Sequence, residues 1–140
     1  MAHLKLATKD DSEAVSILFK ELHNASVYKQ IMDYRPGDVS ALVSRIADDP
    51  ARGCTIMLLE GRRLVGAIIC SSMRQVFNQA EKTAVELGFW ITPEFRNKAN
   101  LKKLLSAYRY WAKKTGCNSI LYGKLTDPGC PESYTVRKIS

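Results

Sequence analysis

The stretch of sequence best suited to chemistry runs from residue 85 to residue 105, where an apolar segment passes through a proline turn into a basic, helix-forming segment. Lys98, Lys102 and Lys103 fall at the start of that helical segment. Cations are unfavourable at the positive end of the helix dipole unless a bound anion or solvent screens them. The unpaired backbone N–H groups of the first helical turn attract such an anion. The junction therefore predicts a site for an anion such as a phosphate.

The charge of the chain is concentrated in the same region. The formal net charge is +7, and eight of the 21 basic residues but none of the 14 acidic ones lie between residues 95 and 126. Such a segment attracts a phosphate-bearing cofactor, a nucleic acid or an acidic protein face. A solvated, lysine-rich helix face is the alternative interpretation.

Cysteine and histidine spacing argues against a metal site. The four cysteines show no C-x-x-C spacing, and the two histidines, His3 and His23, lie far from them in the sequence. The first ten residues hold no apolar core of secretory length, and the longest apolar run, residues 64–70, is too short to span a bilayer. We expect a cytoplasmic protein with reduced thiols and no metal.

The elements that position this region follow from hydrophobic periodicity. Alternating or continuous apolar runs predict strands near residues 4–8, 54–59, 64–70, 83–91, 117–125 and 134–139. Helical spacing predicts helices near 10–24, 38–48 and 101–116, and residues 71–82 read as a polar loop. A hairpin followed by a strand–helix–strand unit predicts an α/β fold with a mixed sheet, and the absence of a linker predicts one domain over residues 1–140.

Residues 86–96, ELGFWITPEFR, resemble the acetyl-CoA-binding core of the GNAT (Gcn5-related N-acetyltransferase) superfamily. Residues 111–120 resemble the helix end and next strand of that family, and residues 19–26 look like short members encoded by tailed phages. The resemblance implies a mostly antiparallel mixed sheet flanked by helices, in the order β-α-α-β-β-β-α-β, with a shortened C-terminus.

The resemblance also implies an activity: acetyl transfer from acetyl-CoA to a primary amine on a small molecule, a protein or an aminoacyl-tRNA, without a metal. Glu86 would be the base that deprotonates the amine, because an ammonium has no lone pair with which to attack. Tyr134 or Tyr122 would protonate the leaving thiolate, and Gly88 would mark a strand bulge. The implied cofactor-binding residues are Phe89, Trp90 and Ile91 along the pantetheine arm and Arg96, Asn97, Lys98, Ala99, Asn100 and Leu101 around the pyrophosphate.

Two departures from the family pattern leave alternatives open. Ala99 and Leu101 replace the glycines of the phosphate loop, and too few residues follow Leu121 for the usual tyrosine-bearing helix and two more strands. A non-catalytic GNAT-fold binding or structural protein, associated with a phage, is therefore an alternative, as is an RNA-binding module using residues 102–114. A missing helix would expose one face of the sheet, so we expect a homodimer to cover it.

Overall fold

A computed structural model gives the structure of residues 2–123 and 134–139, with the side chains described for residues 2–122 and for Ile139. Within these ranges the strands form one six-stranded sheet in sequence order. The strands are β1 (Ala2–Leu6), β2 (Gly53–Glu60), β3 (Arg63–Gln75), β4 (Asn78–Ile91), β5 (Ser119–Gly123) and β6 (Tyr134–Lys138).

The helices cover both faces of this sheet. They are α1 (Ser12–Ala25), α2 (Tyr28–Ile31), α3 (Pro36–Ala47) and α4 (Lys98–Lys114), with 3-10 turns at Lys9–Asp11 and Pro93–Phe95. Neighbouring strands are antiparallel except β4 and β5, which are parallel and joined by the α4 crossover. This mixed, mostly antiparallel α/β architecture confirms the fold class predicted from the sequence.

Two hydrophobic cores hold the layers together, one on each side of the sheet. Leu104 and Tyr108 of α4 pack with Leu58 and Ile68 on one side, which we call the α4 side. Val15 and Phe19 of α1 pack with Val43 of α3 and Met57 of β2 on the other, which we call the α1 side. Because both faces of β2 and β3 are covered, these strands are apolar nearly throughout their central parts, as their sequence run predicts.

The predicted polar loop over residues 71–82 is wrong. β3 continues to Gln75 and β4 begins at Asn78, with only Val76 and Phe77 in the turn between them. β2 begins opposite Ser71 and β5 begins opposite Thr83, so this hairpin arm extends past its neighbouring strands. Its residues are polar because no core covers the arm, and not because the backbone is irregular.

Smaller differences occur at other boundaries. The first strand is Ala2–Leu6 and not residues 4–8, because Thr8 is already the N-cap of the 3-10 turn. Its backbone N–H donates to the Asp11 carboxylate at 2.8 Å. The short helix α2 was not predicted. The strands expected near 117–125 and 134–139 are present as β5 and β6. Residues 124–133, which include Cys130, lie outside the described ranges.

None of the helices in the described ranges combines the length and the apolar character needed to cross a lipid bilayer. The same ranges bring no three His, Cys, Asp or Glu side chains together in a way that could hold a metal ion.

Candidate active site

A cleft opens in the sheet where β4 and β5 separate. The two strands pair only at Thr83–Ser119 and Ala84–Ile120, so the β5-facing edge of residues 85–91 has no partner strand in the described part of the chain. A register shift on the other edge adds to the separation, because an extra residue bends a strand and increases its twist. An unpaired strand edge offers backbone donors and acceptors to an extended ligand.

The structure places the bulge of β4 at Leu87, one residue before the glycine expected to form it. Gly88 lies opposite Ile69 and Glu86 opposite Cys70, which leaves Leu87 as the extra residue. Gly88 has a different role: a Cβ atom there would lie 3.0 Å from a ring carbon of Phe19, closer than most Cβ contacts, so Phe19 would have to shift. The glycine therefore allows α1 to pack closely against β4 beside the bulge.

The strand–turn–helix junction has the cap geometry of a well-formed helix start. Asn97 is the N-cap, and its side-chain oxygen accepts the backbone N–H of Asn100 at 2.9 Å. Its carbonyl accepts the N–H of Leu101 at 3.0 Å. Helix geometry provides no intrahelical acceptor for the N–H groups of Lys98 and Ala99, so these two donors remain available at the positive end of the α4 dipole.

Two adjoining cavities extend from this junction into the cleft. One of about 280 Å³ lies at the junction, and one of about 410 Å³ lies between α4 and β5. Lys98 and Leu101 line both cavities, and Lys102 and Arg109 add positive charge to the larger one. Leu101 is half-buried and packs against the α4-side core, so its side chain forms part of the cavity wall.

Arg96 is fixed beside the junction by neighbouring groups. Its Nε donates to the Ile91 carbonyl at 2.7 Å, and its guanidinium lies 4.3 Å from the centre of the Trp90 ring. The Trp90 indole and the Thr92 hydroxyl both donate to one carboxylate oxygen of Glu21, at 3.1 and 2.9 Å. These contacts hold the positive charge of Arg96 at the mouth of the smaller cavity, against Trp90, which Glu21 of α1 fixes in place.

Four other residues predicted to bind the cofactor have side chains that pack in the core or bond to the backbone. Phe89 and Ile91 lie in the α4-side core and Trp90 in the α1-side core, and Ile91 also lines the smaller cavity. Asn100 is buried and its amide donates to the Phe95 carbonyl at 2.8 Å, which fixes the loop before the helix.

Glu86 lies on β4 within the apolar α4 side of the sheet. It is opposite Cys70, which is itself opposite Cys54, so the three form a row across neighbouring strands. Among the described side chains, those of residues 2–122 and Ile139, none forms a hydrogen bond or ion pair with its carboxylate. Burial raises the pKa of Glu86 to about 7. The group can therefore accept or release a proton near neutral pH.

The tyrosines near the cleft differ in their availability. Tyr122 lies on β5 and is half-buried in the wall of the larger cavity. Tyr108 also lines that cavity, but its hydroxyl donates to the Leu121 carbonyl at 2.6 Å, and burial raises its pKa far above the usual value. Tyr134 begins β6 and pairs with Gly123; its side chain lies outside the described set.

Sequence reasoning missed two features of this region. Glu21 reads as an ordinary polar residue of an amphipathic helix, and nothing in the sequence signals its bonds to a strand about 70 positions later. A further cavity of about 350 Å³ lies between α1, α2, α3 and the bulge of β4. His23 lines it and donates from Nε2 to the Met32 carbonyl at 2.7 Å.

The chain has counterparts among known proteins. Residues 18–128 match the sequence profile of the Acetyltransferase (GNAT) family. A sequence search of curated proteins found no match to the chain. Many solved structures share its fold at low sequence identity.

Three of these solved structures, all of acetyltransferases, are compared here with the chain. A predicted acetyltransferase with acetyl-CoA from Clostridium acetobutylicum has a TM-score of 0.69 and 10% identity, covering 86% of this chain and 79% of that one. A ribosomal-protein-alanine N-acetyltransferase from Brucella melitensis biovar Abortus 2308 has a TM-score of 0.65 and 13% identity, covering 85% and 77%. The aminoglycoside acetyltransferase meta-AAC0020 from an uncultured soil metagenomic sample, in complex with sisomicin, has a TM-score of 0.65 and 12% identity, covering 85% and 74%.

The structural matches support the fold, and the profile match extends over most of the sequence, including the separating strands and the α4 junction. The chain belongs to the GNAT family of acetyltransferases.

Proposed function

We propose that this protein is an acetyl-CoA-dependent N-acetyltransferase that acts on a primary amine. The observation that carries the proposal is Glu86, a carboxylate with a pKa near 7 placed beside the bulge of an open strand edge. That edge leads directly to the free N–H groups of the α4 start. Acetyl-CoA supplies the acetyl group as a thioester.

The junction supports binding of the coenzyme A pyrophosphate. The N–H groups of Lys98 and Ala99 point along the helix axis to the junction, and Arg96, Lys98 and Lys102 provide positive charge around it. The backbone of residues 89–91 is then free to pair with the amides of the pantetheine arm as an added strand would. Leu101 packs against the α4-side core and forms part of the wall of both cavities.

Glu86 would take the proton from the ammonium of the acceptor, directly or through one water molecule. The neutral amine then attacks the thioester carbonyl and forms the new C–N bond while the C–S bond breaks. The nitrogen releases its second proton to solvent, and the leaving thiolate takes a proton from an acid, which gives the amide and coenzyme A. A base with a pKa near 7 is largely ionised at physiological pH and still able to accept a proton, which is the balance that general base catalysis needs. Tyr122 lines the cleft and is a candidate for the acid that protonates the thiolate.

A non-catalytic binding protein is the second candidate. Leu101 favours it, since this side chain lines both cavities where the family pattern has a glycine. Such a protein would bind coenzyme A weakly or not at all, and its activity in the cell would not depend on Glu86.

Calorimetry and turnover of the wild type and Glu86→Gln test the proposal. Both proteins should bind acetyl-CoA with similar affinity, while the variant loses about 10²- to 10⁴-fold in the rate of coenzyme A release with an amine. The wild-type kcat/KM should rise with pH through about 7, and the variant should lose that limb.

Glu81→Gln is the matched control, because Glu81 is a partly buried carboxylate on the same strand and lies outside the cleft. It should behave as the wild type. Absence of binding heat at millimolar acetyl-CoA would overturn the enzyme proposal, and full turnover by Glu86→Gln would remove Glu86 from the mechanism.

A further inference from the structure

We propose that the acceptor is a small primary amine carried on an apolar body, such as a single aromatic ring, and that this body occupies the cavity between α1, α2, α3 and the β4 bulge. The inference rests on the proposed function and adds the substrate class. The cavity is lined by Phe19, Leu22, His23, Ser26, Tyr28, Met32, Tyr34, Val39, Leu42, Ile69, Leu87 and Gly88.

The position of the cavity connects it to the reacting groups. Leu87 and Gly88 form its wall at the bulge, and they directly follow Glu86 in the chain. The cavity opens on the α1 side and Glu86 lies on the α4 side. Because β5 has already separated from β4 at this point, both faces meet at the open strand edge. An amine on a short arm can reach that edge from the cavity.

Three polar side chains that line the cavity bond to backbone carbonyls, while the Nδ1 atom of His23 is buried without a hydrogen-bond partner among the described residues. His23 donates to the Met32 carbonyl at 2.7 Å, and Ser26 donates to the His23 carbonyl at 3.1 Å. Tyr34 donates to the Ser16 carbonyl. Among the described residues, no Asp or Glu lines the cavity. A polyamine or an aminoglycoside would leave its additional ammonium groups without a carboxylate partner here, so an apolar body is the better match.

The rim of the cavity is apolar as well. Leu87, Met32 and Tyr28 line the cavity and leave about half of their surface in water, at 52%, 53% and 48% exposure. Clustered exposed apolar side chains are typical of a ligand-binding surface. The volume of about 350 Å³ is near the lower end of the range of roughly 300–1,000 Å³ for small-molecule sites, which favours a single-ring ligand.

Competing amines and a charge-introducing variant test the inference. Phenethylamine should have a kcat/KM at least about tenfold above that of spermidine in the wild type, since its ring replaces water against the apolar wall. Met32→Glu and Leu87→Glu should each raise the KM for phenethylamine about tenfold or more and leave the affinity for acetyl-CoA unchanged. Ile17→Glu is the matched control, because Ile17 is 64% exposed on α1 and lies outside the cavity.

The outcomes separate this inference from the proposed function. If spermidine is the better substrate, or if the two variants keep the wild-type KM, the apolar acceptor is excluded while acetyl transfer stands. If no amine is acetylated, methyl NMR with phenethylamine and coenzyme A decides the inference on its own. Shifts at Leu42 and Leu87 that Met32→Glu abolishes and Ile17→Glu retains would support it, and no shifts at millimolar amine would overturn it.

Discussion

Glu86 is the residue whose surroundings differ most from what stability alone would favour. Cys70 lies across from it on β3 and Tyr108 belongs to the same core, so the carboxylate meets groups of low polarity. A buried carboxylate without a hydrogen-bonded partner destabilises the fold when it ionises. Glutamine would fit the same space without the cost of ionisation. A titratable group with a shifted pKa at the edge of a cleft is typical of a functional site.

This penalty predicts how stability responds to pH. The folded-state pKa of Glu86 is about 7 and the ordinary value is 4.5, so the folded protein favours the protonated form. The stabilising effect of the raised pKa is complete below about pH 4.5 and is lost as the pH rises through about 7. Glu86→Gln should therefore gain up to ~3 kcal/mol in free energy of unfolding over the wild type above about pH 8, and little at about pH 4.

Denaturant unfolding of both proteins at several pH values measures this difference. Glu81→Gln should follow the wild type at every pH, since Glu81 lies on the hairpin arm, outside the α4-side core. A difference between Glu86→Gln and the wild type that does not change with pH would show that the effect comes from packing and not from ionisation.

At the scale of the elements, sequence periodicity predicted the parts that touch a core. The apolar stripe of Leu104, Tyr108 and Trp111 marked α4, and continuous apolar runs marked β2 and the inner part of β3. The strand–turn–helix junction was also predictable, because proline and clustered lysines are local signals, while anion binding there stays a prediction.

Elements without a core contact were not predicted, because hydrophobic periodicity arises only where an element packs against a core. The hairpin arm beyond Ser71 and the short helix α2 carry no periodic apolar signal toward a core, so their backbone order could not be recognised. The bonds from Trp90 and Thr92 to Glu21 and the cavity beside the bulge depend on packing between distant segments, which a single sequence does not encode locally.

The α4 start yields a prediction in which stability and binding change in opposite directions. Lys98→Glu places an acidic side chain in the first turn, where the helix dipole favours it, and should stabilise the fold by about 0.3–1 kcal/mol. The same change puts a negative charge in the wall of both cavities and should weaken acetyl-CoA binding by about tenfold or more. Thermal unfolding and calorimetry measure the two effects separately.

Lys113→Glu is the control for this pair of effects. Lys113 lies in the last turn of α4, away from both cavities, so its replacement should slightly destabilise the helix and leave the affinity for acetyl-CoA unchanged. If Lys98→Glu binds acetyl-CoA as tightly as the wild type, the phosphates do not lie at the α4 start.

At the scale of the whole molecule, the positive charge and the cleft coincide. The basic excess of the chain falls within residues 95–126, and its members Lys98, Lys102 and Arg109 line the larger cavity. The same surface could attract RNA, which was the other partner class considered for this segment. The homodimer expected from the sequence stays a prediction.

Salt dependence separates the two partner classes. Coenzyme A carries a diphosphate and one further phosphate, so the logarithm of its affinity should fall with the logarithm of salt concentration with a slope no steeper than about −3. An RNA bound along the α4 face would contact more phosphates and lose about 10³- to 10⁵-fold in affinity between low and moderate salt.

We expect a shallow slope for acetyl-CoA, and RNA binding that is weak at physiological salt and displaced by acetyl-CoA, because both ligands compete for the same cations. Titrations of each ligand at several salt concentrations provide the measurement, with Lys113→Glu as a probe of the part of α4 that only RNA would reach. RNA affinity that depends on Lys113 and is unaffected by saturating acetyl-CoA would contradict a shared site. The basic face of α4 would then be a nucleic-acid-binding surface separate from the cleft, since RNA would bind there while acetyl-CoA occupies the cleft.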